Sequence, residues 1–411
     1  MSSPIPGLDG YAQLALDPTL SLSPEMALTT KTDSPEAYIL RLPTELLEIA
    51  ASHTQLEDIM SVRLACKELN HQLVQAYERV KYSKLTFYLA NKYSMQTLED
   101  LSKHPRLGKY IKTIQLAEGQ FILWSDRLIY RKETLPPVRR NNRQDFKAMG
   151  AIRKVHNGVV YEQDAFLAQA GWQQYLTRAL INIKKNVPNA SVNIVALSAE
   201  DAKAFSGVGR IRMERLVGYT NCFDGKPDFY RSKKPTAHIV RAITDVACPL
   251  SALHLGTEQS PVIDSTLACL KDHSEFATTF GGLTELHLYL RSDVDGSELA
   301  TMLAKIPALR KLYFGSRREN RNLPYIETFL RQATLPALQD LELQTYFRDV
   351  GLLVHFLRQN QQSLKQIKLT RHNGWHEDEF PVRAGEATRI KFAGQRFGVQ
   401  VFVAPEDFYY R

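Results

Sequence analysis

Cysteine is scarce in this chain, with four residues in 411. Cys66, Cys222, Cys248 and Cys269 lie far apart, and none belongs to a C-x-x-C pair. That spacing argues against a disulfide framework and a cysteine zinc cluster, and it predicts a reducing compartment, cytoplasmic and/or nuclear. Long apolar runs are missing too: no stretch approaches the ~18 uninterrupted apolar residues of a membrane span. No basic segment followed by an apolar one opens the chain, so neither a signal peptide nor a membrane partner is expected.

Catalytic fingerprints are equally sparse. Gly207-Val208-Gly209 lacks the rest of a dinucleotide or phosphate loop, and there is no G-x-S-x-G or H-E-x-x-H. Cys222 has no His partner at a telling spacing. The segment His372-Asn-Gly-Trp-His376-Glu-Asp-Glu379 gathers His and carboxylates, but its spacing matches no metal motif and reads as a polar loop. These absences point to a binding protein rather than an enzyme, with no catalytic residue, metal or cofactor expected.

What is present is the composition of a globular protein, 44% hydrophobic and 23% charged, in a chain long enough to bury a core without staples. The net charge of +8 is uneven. Residues 1–36 carry five acidic residues against Lys31 alone, whereas residues 127–154 carry nine Lys or Arg against Glu133 and Asp145. The basic run reads first as a solvated loop, and as an acidic-partner or nucleic-acid contact second.

Residues 1–37 are rich in Pro, Ser and Thr and read as a disordered tail. A helical unit follows over residues 38–80. Leu46, Leu47 and Ala50 share a face after Pro43-Thr44, and Thr54 with Glu57 has the spacing of a capping box. Leu56, Ile59, Met60, Val62 and Leu64 cover almost every side of the second helix, and Leu69, Leu73 and Val74 mark a third. So small a unit has little core, so part of its apolar surface is expected to dock on a partner.

Residues 81–411 alternate strand and helix patterns. Strands are read at Leu85–Leu89, Ile111–Leu116 and Val192–Leu197, and helices from Ser94 to Lys103 and over Trp172–Lys185. The motif L-x-x-[LI]-x-[LF] recurs at Leu250–Leu255, Leu283–Leu288, Leu309–Phe314, Leu338–Leu343 and Leu364–Leu369. Its central residues Leu286, Leu312, Leu341 and Ile367 are 26, 29 and 26 residues apart, the period of leucine-rich repeats with a helical return. Helical stretches fill the gaps at Ser297–Ala304, Pro324–Gln332 and Val350–Arg358. The repeat leucines are core, so functional groups belong on the strand face between them or on loops. The repeat lacks the Asn many such motifs place after the strand. Long loops are expected near 125–165 and 198–235, and Arg389–Phe392 and Val399–Val403 read as strand-like capping pieces.

The run Leu42-Pro43-Thr44-Glu45-Leu46-Leu47-Glu48-Ile49, followed by Gln55-Leu56-Glu57-Asp58-Ile59-Met60-Ser61-Val62-Arg63-Leu64-Ala65-Cys66-Lys67, resembles an F-box. Thr54 stands where that family often has a bulky apolar residue, and Leu69 or Asn70 where many members have Trp. The Leu85–Leu116 region, with its His104-Pro105-Arg106-Leu107-Gly108 turn, resembles fungal F-box proteins with leucine-rich C-terminal regions.

The resemblance implies an α/β chain in which a three-helix F-box precedes an irregular leucine-rich-repeat-like βα solenoid. It also implies a substrate-recognition subunit of a cullin-RING (SCF-type) ubiquitin ligase. Such a chain would bind a Skp-type adaptor through its F-box and an unknown protein substrate through the repeats. Carried over by position, Leu42, Pro43, Leu46, Ile59, Val62, Cys66 and Lys67 would face the adaptor. Arg317, Arg318 and Arg321 follow a repeat strand and are the candidate substrate contacts, since Arg pairs bidentately with phosphate or carboxylate. The alternatives are a leucine-rich scaffold that assembles through its F-box without ubiquitin transfer, and a nucleic-acid-associated protein acting through the basic segment.

Overall fold

A computed structural model describes residues 42–117, 120–121, 143–169, 171–187, 191–197, 223–224, 235–257, 261–262, 266–267, 276–291, 294–316, 324–344, 349–370 and 384–403. The expected tail, most of the 198–235 segment, the basic run up to residue 142 and the His372–Glu379 segment lie outside them.

Three helices open the described chain: α1 (Thr44–Ser52), α2 (Leu56–Ala65) and α3 (Lys67–Ser83). Pro43 precedes α1 with φ −54°, and its carbonyl accepts from the Leu46 and Leu47 amides, so the ring costs the helix no donor. The expected capping box at Thr54 is not formed: the Thr54 hydroxyl donates back to the Ala50 carbonyl at 2.8 Å, and Gln55 precedes α2 with no side-chain cap. Glu57 and Asp58 in the first turn complement the helix dipole instead. The Cys66 thiol caps α3 by accepting from the Leu69 amide at 3.4 Å. Leu47, Ala51, Ile59, Leu73 and Ala76 form a small core separate from that of the rest of the chain.

Helix α3 leads directly into β1 (Lys84–Tyr88), followed by α4 (Lys92–Lys103), a 3-10 turn at Gly108–Tyr110, β2 (Thr113–Ala117) and β3 (Gln120–Phe121). Then come α5 (Arg143–Ala168), α6 (Gly171–Asn186), β4 (Val192–Leu197), β5 (Phe223–Asp224), α7 (Pro235–Val246), β6 (Leu250–Leu255) and α8 (Phe276–Phe280). The last part holds β7 (Glu285–Leu290), α9 (Gly296–Ala304), β8 (Lys311–Ser316), α10 (Pro324–Gln332), β9 (Asp340–Gln344), α11 (Val350–Asn360), β10 (Gln366–Leu369), α12 (Ala384–Phe397) and β11 (Gln400–Val403). Strands β1, β2, β4 and β6 through β11 form one nine-stranded sheet in chain order, and every pair in it is parallel. Parallel neighbours require a crossover, which the intervening helices supply. β3 and β5 pair separately as a short antiparallel ribbon.

The register explains the leucine motif. Leu85, Ile114, Ile194, Leu253, Leu286, Leu312, Leu341, Ile367 and Val401 are successive cross-strand partners. All but Leu85 and Val401, which pack against the same cluster, are buried with the inner faces of the helices. Gly296 lets α9 approach α10, since a Cβ there would lie 2.0 Å from the Tyr325 carbonyl oxygen. At the first crossover Gly108 lies so close to the end of α4 that a Cβ would meet the Ser102 carbonyl at 2.7 Å. The His104 ring accepts from the Arg106 and Leu107 amides there, and Arg106 pairs with Glu78 of α3 at 2.6 Å, tying the helical unit to the sheet.

Two expectations are corrected. The stretch expected as a loop near 125–165 is helical from Arg143, because Val160, Gln163 and Leu167 bury one stripe that its Lys and Arg content obscured. The strand-like piece Arg389–Phe392 lies inside α12, where Ala387, Ile390 and Ala393 point inward at a spacing of three, and four residues were too few to show that period. Gly398 ends α12 at φ +72°, with the Val399 amide donating to the Gly394 carbonyl, a C-terminal motif that glycine adopts freely. Among the described residues no helix is long and apolar enough to cross a membrane.

Candidate functional site

Two surfaces stand out, one at each level of the architecture. On the helical unit, Leu42, Leu46 and Ile49 are 40%, 50% and 57% exposed, and Met60 and Leu64 are 44% and 85% exposed. Leu46 and Ile49 are three apart on α1 and Met60 and Leu64 four apart on α2, so each pair shares a helix face, and Leu42 lies two residues before α1. Of the residues expected at an adaptor surface, Leu42, Pro43, Leu46 and Lys67 are exposed. Val62 is half-buried against the small core, and Cys66 is half-buried as the cap of α3. Ile59 is internal, 2% exposed, at the centre of that core. Ile49, Met60 and Leu64 are exposed apolar groups absent from the positions carried over.

The second surface is the polar face of the sheet. One row across it reads Thr86, Gln115, Val195, His254, His287, Tyr313, Glu342, Lys368 and Phe402. The next row passes through Ala252, Glu285, Lys311, Asp340, Gln366 and Gln400. These are the fifth and third positions of the L-x-x-[LI]-x-[LF] motif, so the repeat itself stacks them.

The tightest cluster lies on β6 and β7. His254 and His287 are paired in register, and their rings stack with centroids 3.7 Å apart and 15° between planes. Tyr313 of β8 continues the stack at 5.1 Å from His287. Glu285 is two residues before His287 on the same strand face. Its Oε1 lies 3.1 Å from His254 Nε2 and 3.0 Å from His287 Nε2, while its Oε2 faces Lys311 Nζ at 3.8 Å. A carboxylate only accepts, so each imidazole presents Nε2–H to it.

Burial lowers both imidazoles from their ordinary value, and the neighbouring His254 helps push His287 down to about 4, so both rings are neutral at neutral pH. Burial alone would raise Glu285, but the His254 hydrogen bond and the electrostatic influence of His287, His254 and Lys311 outweigh it and hold the carboxyl below its usual range. The cluster is therefore one carboxylate flanked by two neutral imidazoles and a lysine. Side-chain exposures of 25% to 35% for the three leave it open to solvent. Beside it a shallow cavity of about 220 Å³ is lined by Glu285, His287, Lys311, Tyr313, Asp340, Glu342 and Lys368.

Arg317, Arg318 and Arg321 lie outside the described residues, directly after β8. The His254 cluster was not singled out from sequence, because its members are separated by 31 and 33 positions in the chain and only the strand register unites them. Compared with protein-family models and with curated proteins, the chain matches none.

Proposed function

We propose that the chain is a non-catalytic substrate receptor of an SCF-type ubiquitin ligase. It docks on a Skp-type adaptor through α1 and α2 and holds a protein substrate against the polar face of the sheet. The observation that carries this reading is the pair of exposed apolar patches, Leu46 and Ile49 on α1 with Leu42 just before it, and Met60 and Leu64 on α2, on a unit whose own core has five residues. A unit that leaves so much apolar surface outside so small a core gains from a partner that covers it. The resemblance of Leu42–Lys67 to an F-box supplies the kind of partner. The strand face supports the substrate role, since its alternating Lys311, Asp340, Glu342 and Lys368 offer charged groups on a rigid frame.

The test is co-purification of the full chain with a Skp-type adaptor. Leu46→Asp with Leu64→Asp is expected to abolish capture while the helical signal is kept, because both side chains are exposed. Ile59→Asp is a poor probe, since it places a charge in the small core and unfolds the unit. Unchanged capture by the double variant overturns the adaptor surface. Capture without any effect of the receptor on the lifetime of bound proteins favours the scaffold reading.

A further inference from the structure

We propose that His254, Glu285 and His287 form a site for a borderline divalent metal ion, Zn2+ foremost, on the polar face of the sheet. The three groups belong to two hydrogen-bonded parallel strands, with the imidazoles in register and the carboxylate two residues along, so the sheet holds them as a triangle. Their ligand atoms all lie within 4.8 Å of one another. At ligand distances of ~2.0–2.1 Å a tetrahedral zinc ion requires its donors to be roughly 3.3 Å apart. The Nε2 atoms already stand 3.1 and 3.0 Å from Glu285 Oε1, within a few tenths of an ångström of that edge.

Donor chemistry favours the same ion. Two imidazoles and a carboxylate suit zinc over magnesium or calcium, which take oxygen ligands, and three protein ligands leave a fourth position open. That position would face the cavity beside Glu285 and His287, which has room for a water or a partner's side chain. Supporting contacts exist as well: Lys311 faces Glu285 Oε2, leaving Oε1 for the metal, and Tyr313 stacks on His287 and donates its hydroxyl to Gln344. Binding requires each Nε2 proton to move to Nδ1 and the stacked rings to tilt so that both lone pairs point at one centre. No net proton is released in that tautomer change.

The site does not depend on adaptor docking, and its test uses the full chain alone. Equilibrium dialysis against Zn2+, and Co2+ titration followed by the visible bands of tetrahedral cobalt, are expected to give one tightly bound ion per chain. His287→Ala, and Glu285→Gln as a near-isosteric variant, should each weaken binding by about 100-fold or more, beyond the ~10–100-fold typical of supporting residues. The double variant His372→Ala with His376→Ala should leave it unchanged. His254→Asn provides a second imidazole deletion of modest size, and thermal melts without metal show which variants fold. Absence of stoichiometric Zn2+ binding by the wild type, or binding unchanged in folded His254→Asn and Glu285→Gln chains, overturns the proposal. Loss confined to the His372 and His376 variant does the same, by moving the ion to that segment.

Discussion

Asn360, at the end of α11, is 3% exposed and bridges two successive βα units. Its Oδ1 accepts from the Leu335 amide at 2.7 Å, and its Nδ2 donates to the Ala333 carbonyl at 3.2 Å and the Phe356 carbonyl at 3.0 Å. Leu335 and Ala333 are 2% and 1% exposed, so water does not readily replace the lost partner. Asn360→Leu strands at least one buried N–H and one buried C=O, at ~1–3 kcal/mol each, so a loss of about 3 kcal/mol is expected. Asn360→Asp discriminates further: it keeps the acceptor for Leu335 but turns a second carboxylate oxygen towards two carbonyl oxygens. It should therefore cost at least as much at neutral pH and recover partly in acid, where a protonated carboxyl can donate again. Urea unfolding gives the totals, and hydrogen exchange at the Leu335 amide reports the local bond. If Asn360→Leu stays within about 0.5 kcal/mol of wild type with Leu335 protection intact, the bridge is not what joins these units.

Other outcomes follow from single positions. Ala247 ends α7 with φ 50°, a left-handed conformation that a Cβ disfavours, so Ala247→Gly should raise stability by up to about 1 kcal/mol. Gly398→Ala, at φ +72°, should lower it by a similar amount, both read from thermal melts. Glu99 is buried between Lys103 and Arg178, with Arg178 Nη2 at 2.8 Å. Burial alone would raise its pKa, but the Arg178 and Lys103 hydrogen bonds prevail and hold it below 4.5. Its stabilising contribution is therefore complete above that value and lost as pH falls through the depressed folded pKa. Glu99→Gln should be destabilised most at neutral pH and converge on wild type in acid, and a pH-independent gap in urea midpoints would contradict that.

The repeat period was legible because burial acts on the first, fourth and sixth positions of the strand motif. Leu286, Leu312, Leu341 and Ile367 had to be core wherever the chain ran, and they mark four adjacent strands. The helices at Pro324–Gln332 and Val350–Asn360 were readable for the same reason, a stripe with the helical period. Short or mixed windows failed: α5 was hidden by its charges, and Arg389–Phe392 by its brevity. Capping failed differently. Thr54 had the right spacing, but its hydroxyl found the Ala50 carbonyl first, while Cys66, not a strong capping type, took the cap of α3. Such choices are settled between groups that compete at short range, and sequence spacing does not rank them.

Across the repeats the sequence by itself determined which residues would be inside, because apolar periodicity reflects a transfer free energy that acts residue by residue. It also determined that β6 to β10 would each carry one leucine motif and so present equivalent positions to the same face. Register was decided only by the tertiary structure. A shift of one residue between β6 and β7 would turn His254 to the opposite face from His287, and the carboxylate would lose one of its two imidazoles. The apolar stripes of α1 and α2 show the same division. Their residues were readable as apolar, but whether each faced inward, as Ile59 does, or outward, as Leu46 and Leu64 do, depended on how three helices closed around a five-residue core.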